Sequence, residues 1–171
     1  LTDLQKNTIL TNVLRTATLA DFKWVYDLYF LPETNPYLLY DPMTAQEFAP
    51  IFDQLLVQGI KQVFEVNGEP VGMVKLAPLT HRTAHVLYIG GLAIHPSKAR
   101  MGYGLALMQA IKDWAMARGF TRLELDVDDD NPIAKRLYEK AGFIVEGVLR
   151  SYAFRQTAQQ YFDNYRMACL I

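Results

Sequence analysis

The dipeptide Asn67-Gly68 constrains this chain more than any other feature. It lies between the apolar runs Val63 to Val66 and Val71 to Leu76. Both of its residue types tolerate the positive φ that a two-residue hairpin turn demands, so the flanking runs must form an antiparallel pair. The remaining patterning arranges itself around that hairpin. Val13 to Ala17 reads as a strand. Thr18 with Asp21 starts a helix marked by Phe22, Tyr26 and Phe30, and Thr44 with Glu47 makes a capping-box pattern before Phe48, Phe52 and Leu55. Pro50 is expected to break that second helix unless it falls in the first turn. Leu31 to Pro42 reads as a loop. Ala84 to Ile94 is a further strand interrupted by Gly90-Gly91, a pair expected to mark a bulge or a close backbone approach. Gly102 to Arg118 carries Leu107, Ile111 and Trp114 on one helical face, buried by expectation, and stops at Gly119. A Leu123-x-Leu125-x-Val127 strand, a helix opening at Asn131-Pro132, and strands over Phe143 to Phe154 and Tyr161 to Cys169 complete the order β-α-α-β-β-β-α-β-α-β-β.

The chain has 171 residues, 51% of them hydrophobic, enough for one core, and one domain over 1–171 is expected. Seventeen basic and 18 acidic side chains give a net charge of -1, which offers no footprint for nucleic acid or an anionic membrane. No apolar run approaches the ~18 residues of a membrane span, and Leu1 to Arg15 lacks a cleavable-leader pattern. The lone Cys169 cannot form an internal disulfide, so a cytoplasmic location is expected.

Chemistry concentrates in two stretches. The first is Ile94-His95-Pro96-Ser97-Lys98-Ala99-Arg100-Met101-Gly102-Tyr103-Gly104-Leu105-Ala106: a strand, a basic loop, two glycines and a helix start. Free amides at a helix N-terminus and the helix dipole suit an anion such as a pyrophosphate, and Lys98 and Arg100 add positive charge. Alone, the pattern also fits a plain strand-to-helix turn. It is not a nucleotide P-loop, because Leu105 and Ala106 follow Gly104 where Lys and Ser/Thr are required. Nor is it a dinucleotide fingerprint, because Leu107 stands in place of the third glycine.

The second stretch is Asn131-x-x-Ala134-x-x-x-Tyr138-x-x-x-Gly142-Phe143, about thirty residues downstream and preceded by the Leu-x-Leu-x-Val strand. With the Gly-x-Gly loop, it resembles the signature of the GNAT superfamily of N-acetyltransferases, and the likeness in element order covers nearly all of the chain. The segment Phe143 to Ala168, with Glu146-Gly147, Tyr161, Asp163 and Met167, is most similar to the bacterial branch that acetylates amino acids or aminoacyl compounds.

The resemblance implies a three-layer α/β (α+β) fold: a mixed, mostly antiparallel sheet of six to seven strands, helices on both faces, splayed at the cofactor site. It implies acetyl-CoA as acetyl donor, direct transfer to a primary amine of a small molecule or peptide, and a homodimer. Leu92, Ala93 and Ile94 would offer backbone groups to the pantetheine arm. Met101, Gly102, Tyr103, Gly104, Leu105 and Ala106 would cradle the pyrophosphate, and Asn131 would contact the cofactor near its reactive end. Tyr138 would act as general acid toward the departing thiolate, a role suited to a phenol of pKa ~10. Peptide groups near Gly90-Gly91 would polarise the thioester. No cysteine near the motifs offers a covalent acetyl acceptor. The chain departs from the family pattern in two places. Ala99 replaces a common Gln or Arg, and Tyr88, Ile89 and Gly90 supply no glutamate as general base. Asp126, His85 and a water relay are the base candidates. The alternative to an enzyme is a catalytically silent acyl-CoA-binding sensor or scaffold, which a closed cleft beside Tyr138 would favour. Thioesterase action is a third reading.

Other residues have plainer readings. Asp126, Asp128 and Asp130 start like a calcium loop but lack its glycine and final Glu, so they read as support for the following helix N-terminus or as a lure for a cationic amine. His81 and His85 have no third ligand nearby, and no metal is expected. Tyr29, Tyr37, Tyr40, Tyr152, Phe154, Tyr161, Phe162 and Tyr165 divide between core or dimer contacts and an acceptor pocket, with the minority expected at substrate.

Overall fold

The computed structural model describes residues 11–171. The leader reading of Leu1 to Arg15 falls mainly on residues 1–10, outside the described residues. Elements follow the expected order: β1 (Asn12–Thr16), α1 (Phe22–Phe30), α2 (Ala45–Val57), β2 (Lys61–Val66), β3 (Glu69–Pro78), β4 (Val86–Ile94), α3 (Tyr103–Met116), β5 (Arg122–Asp128), α4 (Pro132–Lys140), β6 (Ile144–Arg155) and β7 (Gln160–Leu170). The strands form one seven-stranded sheet in the order β1-β2-β3-β4-β5-β7-β6. Every neighbouring pair is antiparallel except β4 with β5, which are joined through the crossover helix α3. Among the described residues no helix is long and apolar enough to cross a membrane.

Local chemistry accounts for the boundaries. Asn67 and Gly68 take φ of 52° and 80°, the left-handed pair of a tight hairpin between β2 and β3. At the start of α2 the Glu47 amide donates to Thr44 Oγ1 at 3.3 Å, and the Thr44 amide donates to Glu47 Oε2 at 2.8 Å. Contrary to the expected break, α2 runs through Pro50. Pro50 and Gln46 are both exposed, so the Gln46 carbonyl that loses its partner faces water and the interruption is tolerated.

Strand alternation sorts the side chains into two layers. Toward α3 and α4 the sheet presents Val74, Leu76, Leu87, Ile89, Leu123, Leu125, Val127 and Met167, packed on Leu107, Met108, Ile111 and Phe143. Trp114, on the same stripe, is only partly buried and stacks on Phe120 at 6.2 Å. The opposite face is apolar only beneath α1 and α2, where Val63, Met73 and Ala93 meet Val25, Leu28, Phe48 and Phe52. Past that cover the same face carries Lys75, Tyr88, Asp126, Asn164 and Arg166. This polar half of the sheet positions the site.

Candidate active site

The opening begins where two strands part. β4 and β5 pair only from Val86↔Arg122 to Ile89↔Leu125, although both strands continue beyond. At that point β4 bulges. Gly90 faces Lys75 and Ala93 faces Met73, so β4 takes three steps where β3 takes two. Gly91 has φ 54°, and a Cβ there would lie 2.6 Å from Tyr29 Oη, so both the conformation and the close approach require glycine. Beyond the bulge, Ala93 and Ile94 keep one edge on β3, and among the described residues Leu92, Ala93 and Ile94 have no strand partner on the β5 side.

A groove follows this free edge. Its floor is Ile89 to Ile94, its far wall is Asn131, Ile133, Ala134, Leu137 and Tyr138, and Pro96 and Ala99 close one end. Asn131 caps α4, its Oδ1 accepting from the Ala134 amide at 3.1 Å, with Pro132 in the first turn. Tyr138 is 7% exposed and packs on Phe143. Among the described residues its hydroxyl has no hydrogen-bond partner. Burial, reinforced by the charge of Asp128, pushes the phenol up to about 12.

The other sequence-predicted binding residues cluster at the start of α3. Gly102 takes φ 80°, and Ala106 is the first residue of this turn to bond back, to the Gly102 carbonyl at 3.1 Å. Among the described residues the amides of Tyr103, Gly104 and Leu105 therefore lie free at the positive end of the helix dipole. A Cβ on Gly104 would lie 3.1 Å from Leu137, so this glycine also lets α3 close on α4. Met101 and Leu105 are exposed. Arg100 is exposed with φ 61°, and Lys98 is tied to Glu69 at 3.2 Å. A free strand edge leading to unpaired helix-start amides fits an extended thioester chain ending in a pyrophosphate.

On the other side of the bulge lies a second cleft of about 450 Å³. It shares Tyr37, Leu38, Gly90, Gly91, Asp126 and Asp128 with the groove, so the two meet at the splay. Tyr37, Tyr40, Tyr152 and Phe154 line it. The other aromatic candidates lie elsewhere. Tyr29 is on the buried face of α1, Tyr161 is exposed against Phe154, Phe162 lies beneath the Arg155 guanidinium, and Tyr165 sits beside Lys135.

The aspartate run is neither a calcium loop nor a free lure for cations. Asp126 accepts from Tyr88 Oη at 3.1 Å and from Arg166 Nε and Nη2, both at 2.9 Å. Asp128 is held by Arg155 and by Asn164 Nδ2, and Asp130 pairs with Arg155 at 2.6 Å. These bonds tie β5 and its following turn to β6 and β7. His85 is exposed, just ahead of the far end of β4, which removes it as a base. Asp126 lies at the opening, but with its oxygens engaged. Among the described residues no group of three His, Cys, Asp or Glu is placed to hold a metal.

Sequence reasoning missed Lys61, Lys75, Tyr88, Arg155 and Arg166. Lys75 left a signal, a charge inside the apolar run Val71 to Leu76. The arginines left none, because their partners are set by cross-strand register, as in Asp126↔Arg166.

Comparison with known proteins agrees with this geometry. Residues 22–143 match the Acetyltransferase (GNAT) family. Spermidine N(1)-acetyltransferase of Escherichia coli K12 is 28% identical over 148 residues, covering 80% of this chain and 74% of the enzyme. Spermidine N-acetyltransferase from Vibrio cholerae, solved with CoA and spermine, superposes with a TM-score of 0.79 at 21% identity, covering 93% of this chain and 95% of that one. The ribosomal-protein-S18-alanine N-acetyltransferase of Escherichia coli gives a TM-score of 0.70 at 22% identity, covering 94% of each chain.

Proposed function

The chain belongs to the GNAT acetyltransferase family and is an N-acetyltransferase that uses acetyl-CoA; from that premise we propose that it transfers the acetyl group directly to a primary amine of a small molecule or peptide held in the second cleft. One observation carries this reading: a groove suited to the donor and a separate open cleft meet at Gly90-Gly91, with Tyr138 on the donor side. An open cleft is what an acyltransferase needs and what a silent acyl-CoA sensor would lack.

Acetyl-CoA supplies an activated carbonyl and a thiol leaving group. The chain supplies the rest. Peptide groups of Leu92, Ala93 and Ile94 hold the pantetheine arm as an added strand would be held. Amides from Met101 to Ala106 hold the pyrophosphate, with Lys98 and Arg100 at its rim and Asn131 near the reactive end. Amides freed by the bulge face the carbonyl oxygen. Tyr138 Oη holds a proton at every physiological pH and delivers it to the departing sulfur. With Asp126 engaged and His85 distant, water in the cleft takes the amine's proton.

The domain is assigned to 1–171 and to the cytoplasm, the latter supported by the buried free thiol of Cys169. A homodimer is supported by the edge strand β6, which exposes Ile144, Val145, Val148, Tyr152 and Phe154. Thiol release from acetyl-CoA, measured with a panel of amino acids, polyamines and peptides, tests the function. Amine-dependent release is expected. Tight acetyl-CoA binding with no release from any amine would restore the sensor.

A further inference from the structure

The second cleft is unevenly charged in a way that bears on its ligand. Its half-buried carboxylates are already matched, Asp126 by Arg166 and Asp128 by Arg155 and Asn164. Its remaining acid, Asp41, is exposed at the rim. Lys75 lies on the floor, its side chain running over Gly90, where a Cβ would meet its Cε at 3.1 Å and its Nζ at 3.7 Å. Among the described residues Lys75 has neither an ion-pair nor a hydrogen-bond partner. Directly across the β2–β3 ladder from it stands Lys61. Lys61 is 0% exposed, its Nζ has no hydrogen-bond partner among the described residues, and there its nearest compensation is the face of the Tyr29 ring at 4.6 Å. Two lysines in adjacent register without an anion are a costly arrangement in a half-buried wall. Burial lowers both ammonium groups, and the charge of Lys75 adds to the burial that brings Lys61 to about 7.

We infer that Lys75, backed by Lys61, forms a carboxylate subsite in the acceptor cleft, so that the acceptor is an amine bearing a carboxylate, of the amino-acid class, rather than a polyamine. This rests on the reading of that cleft as the acceptor site. The bound carboxylate supplies the negative charge that the wall lacks, next to the bulge where the amine must meet the thioester. A polyamine would bring a second positive charge toward Lys75 while every half-buried acid of the cleft is engaged. The aromatic lining of Tyr37, Tyr40 and Tyr152 suits the remainder of such an acceptor.

The test is steady-state kinetics of the full chain with acetyl-CoA and matched acceptors, each L-amino acid beside the amine obtained by removing its carboxylate, with spermidine as the polyamine. The wild-type enzyme should favour the carboxylate-bearing member of a pair in kcat/KM. Lys75→Met should raise KM for that member ~10- to 100-fold, the scale of one charge-assisted hydrogen bond, and leave the decarboxylated amine unchanged. Lys75→Arg, which keeps the charge, should recover most of the loss. Any of these results would overturn the subsite: spermidine as the best acceptor, equal effects of Lys75→Met on both members of a pair, or a loss confined to kcat that arginine does not rescue. The last would mark Lys75 as a proton acceptor. No release from any carboxylate-bearing acceptor would overturn it as well. If instead neither Lys75→Met nor Tyr152→Ala alters any acceptor's KM, the assignment of the cleft itself fails.

Discussion

Tyr138 and Lys61 both lack a hydrogen-bond partner among the described residues, Lys61 Nζ sealed in the core and Tyr138 lining the groove, with opposite consequences. A phenol raised to about 12 stays protonated at neutral pH, as a proton donor to a thiolate should. Tyr138→Phe is therefore expected to lower kcat ~100-fold or more and to leave acetyl-CoA affinity within about twofold, measured by single-turnover kinetics and calorimetry. For Lys61 the effect is on stability. Its pKa falls from 10.5 to about 7 on folding, so between those values the unfolded chain binds more protons than the native one. Stability from this group rises as pH climbs from 7 to 10.5, and the full penalty is present below 7. Lys61→Met should raise the urea midpoint at pH 7 and flatten its increase toward pH 10. Tyr138 and Asn131 were legible in the sequence because their spacing along one helix is local. Lys61, Arg155 and Arg166 were not, because each acts across strands whose register no local pattern records; Lys75 showed only as a charge within an apolar run, with its neighbours across the ladder hidden.

Among the elements, β4 decides the site and α3 completes it. The paired glycines predicted a bulge or a close approach, and the structure has both, with Gly91 at φ 54° against Tyr29. Gly91→Ala should cost about 1–3 kcal/mol in denaturant unfolding, because the left-handed backbone and the Tyr29 hydroxyl both oppose a Cβ. At the start of α3, Gly102 has open space around it, so Gly102→Asp introduces chiefly a carboxylate beside the free amides and some backbone strain. It should weaken acetyl-CoA binding ~10-fold or more by calorimetry. Equal losses of kcat and affinity in Gly102→Asp and Tyr138→Phe would contradict the division of roles. The helix α2 shows where local reading fails: the capping box at Thr44 was legible, but whether Pro50 ends a helix depends on what its orphaned carbonyl faces, and that is a property of the fold.

At the scale of the molecule, seven strands close one sheet whose last strand, β6, leaves an apolar edge. Val148 is 54% exposed there, and for the proposed homodimer Val148→Lys should shift light-scattering mass from dimer to monomer without unfolding the chain. The sheet also sets the order of events. The parting of β4 from β5 makes an opening with two approaches, one along α4 and one past Tyr40 and Tyr152, which meet beside Gly90 and Gly91. Neither reactant has to leave before the other arrives. On the proposed assignment of the two clefts, donor and acceptor are held together, and double-reciprocal plots should intersect rather than run parallel.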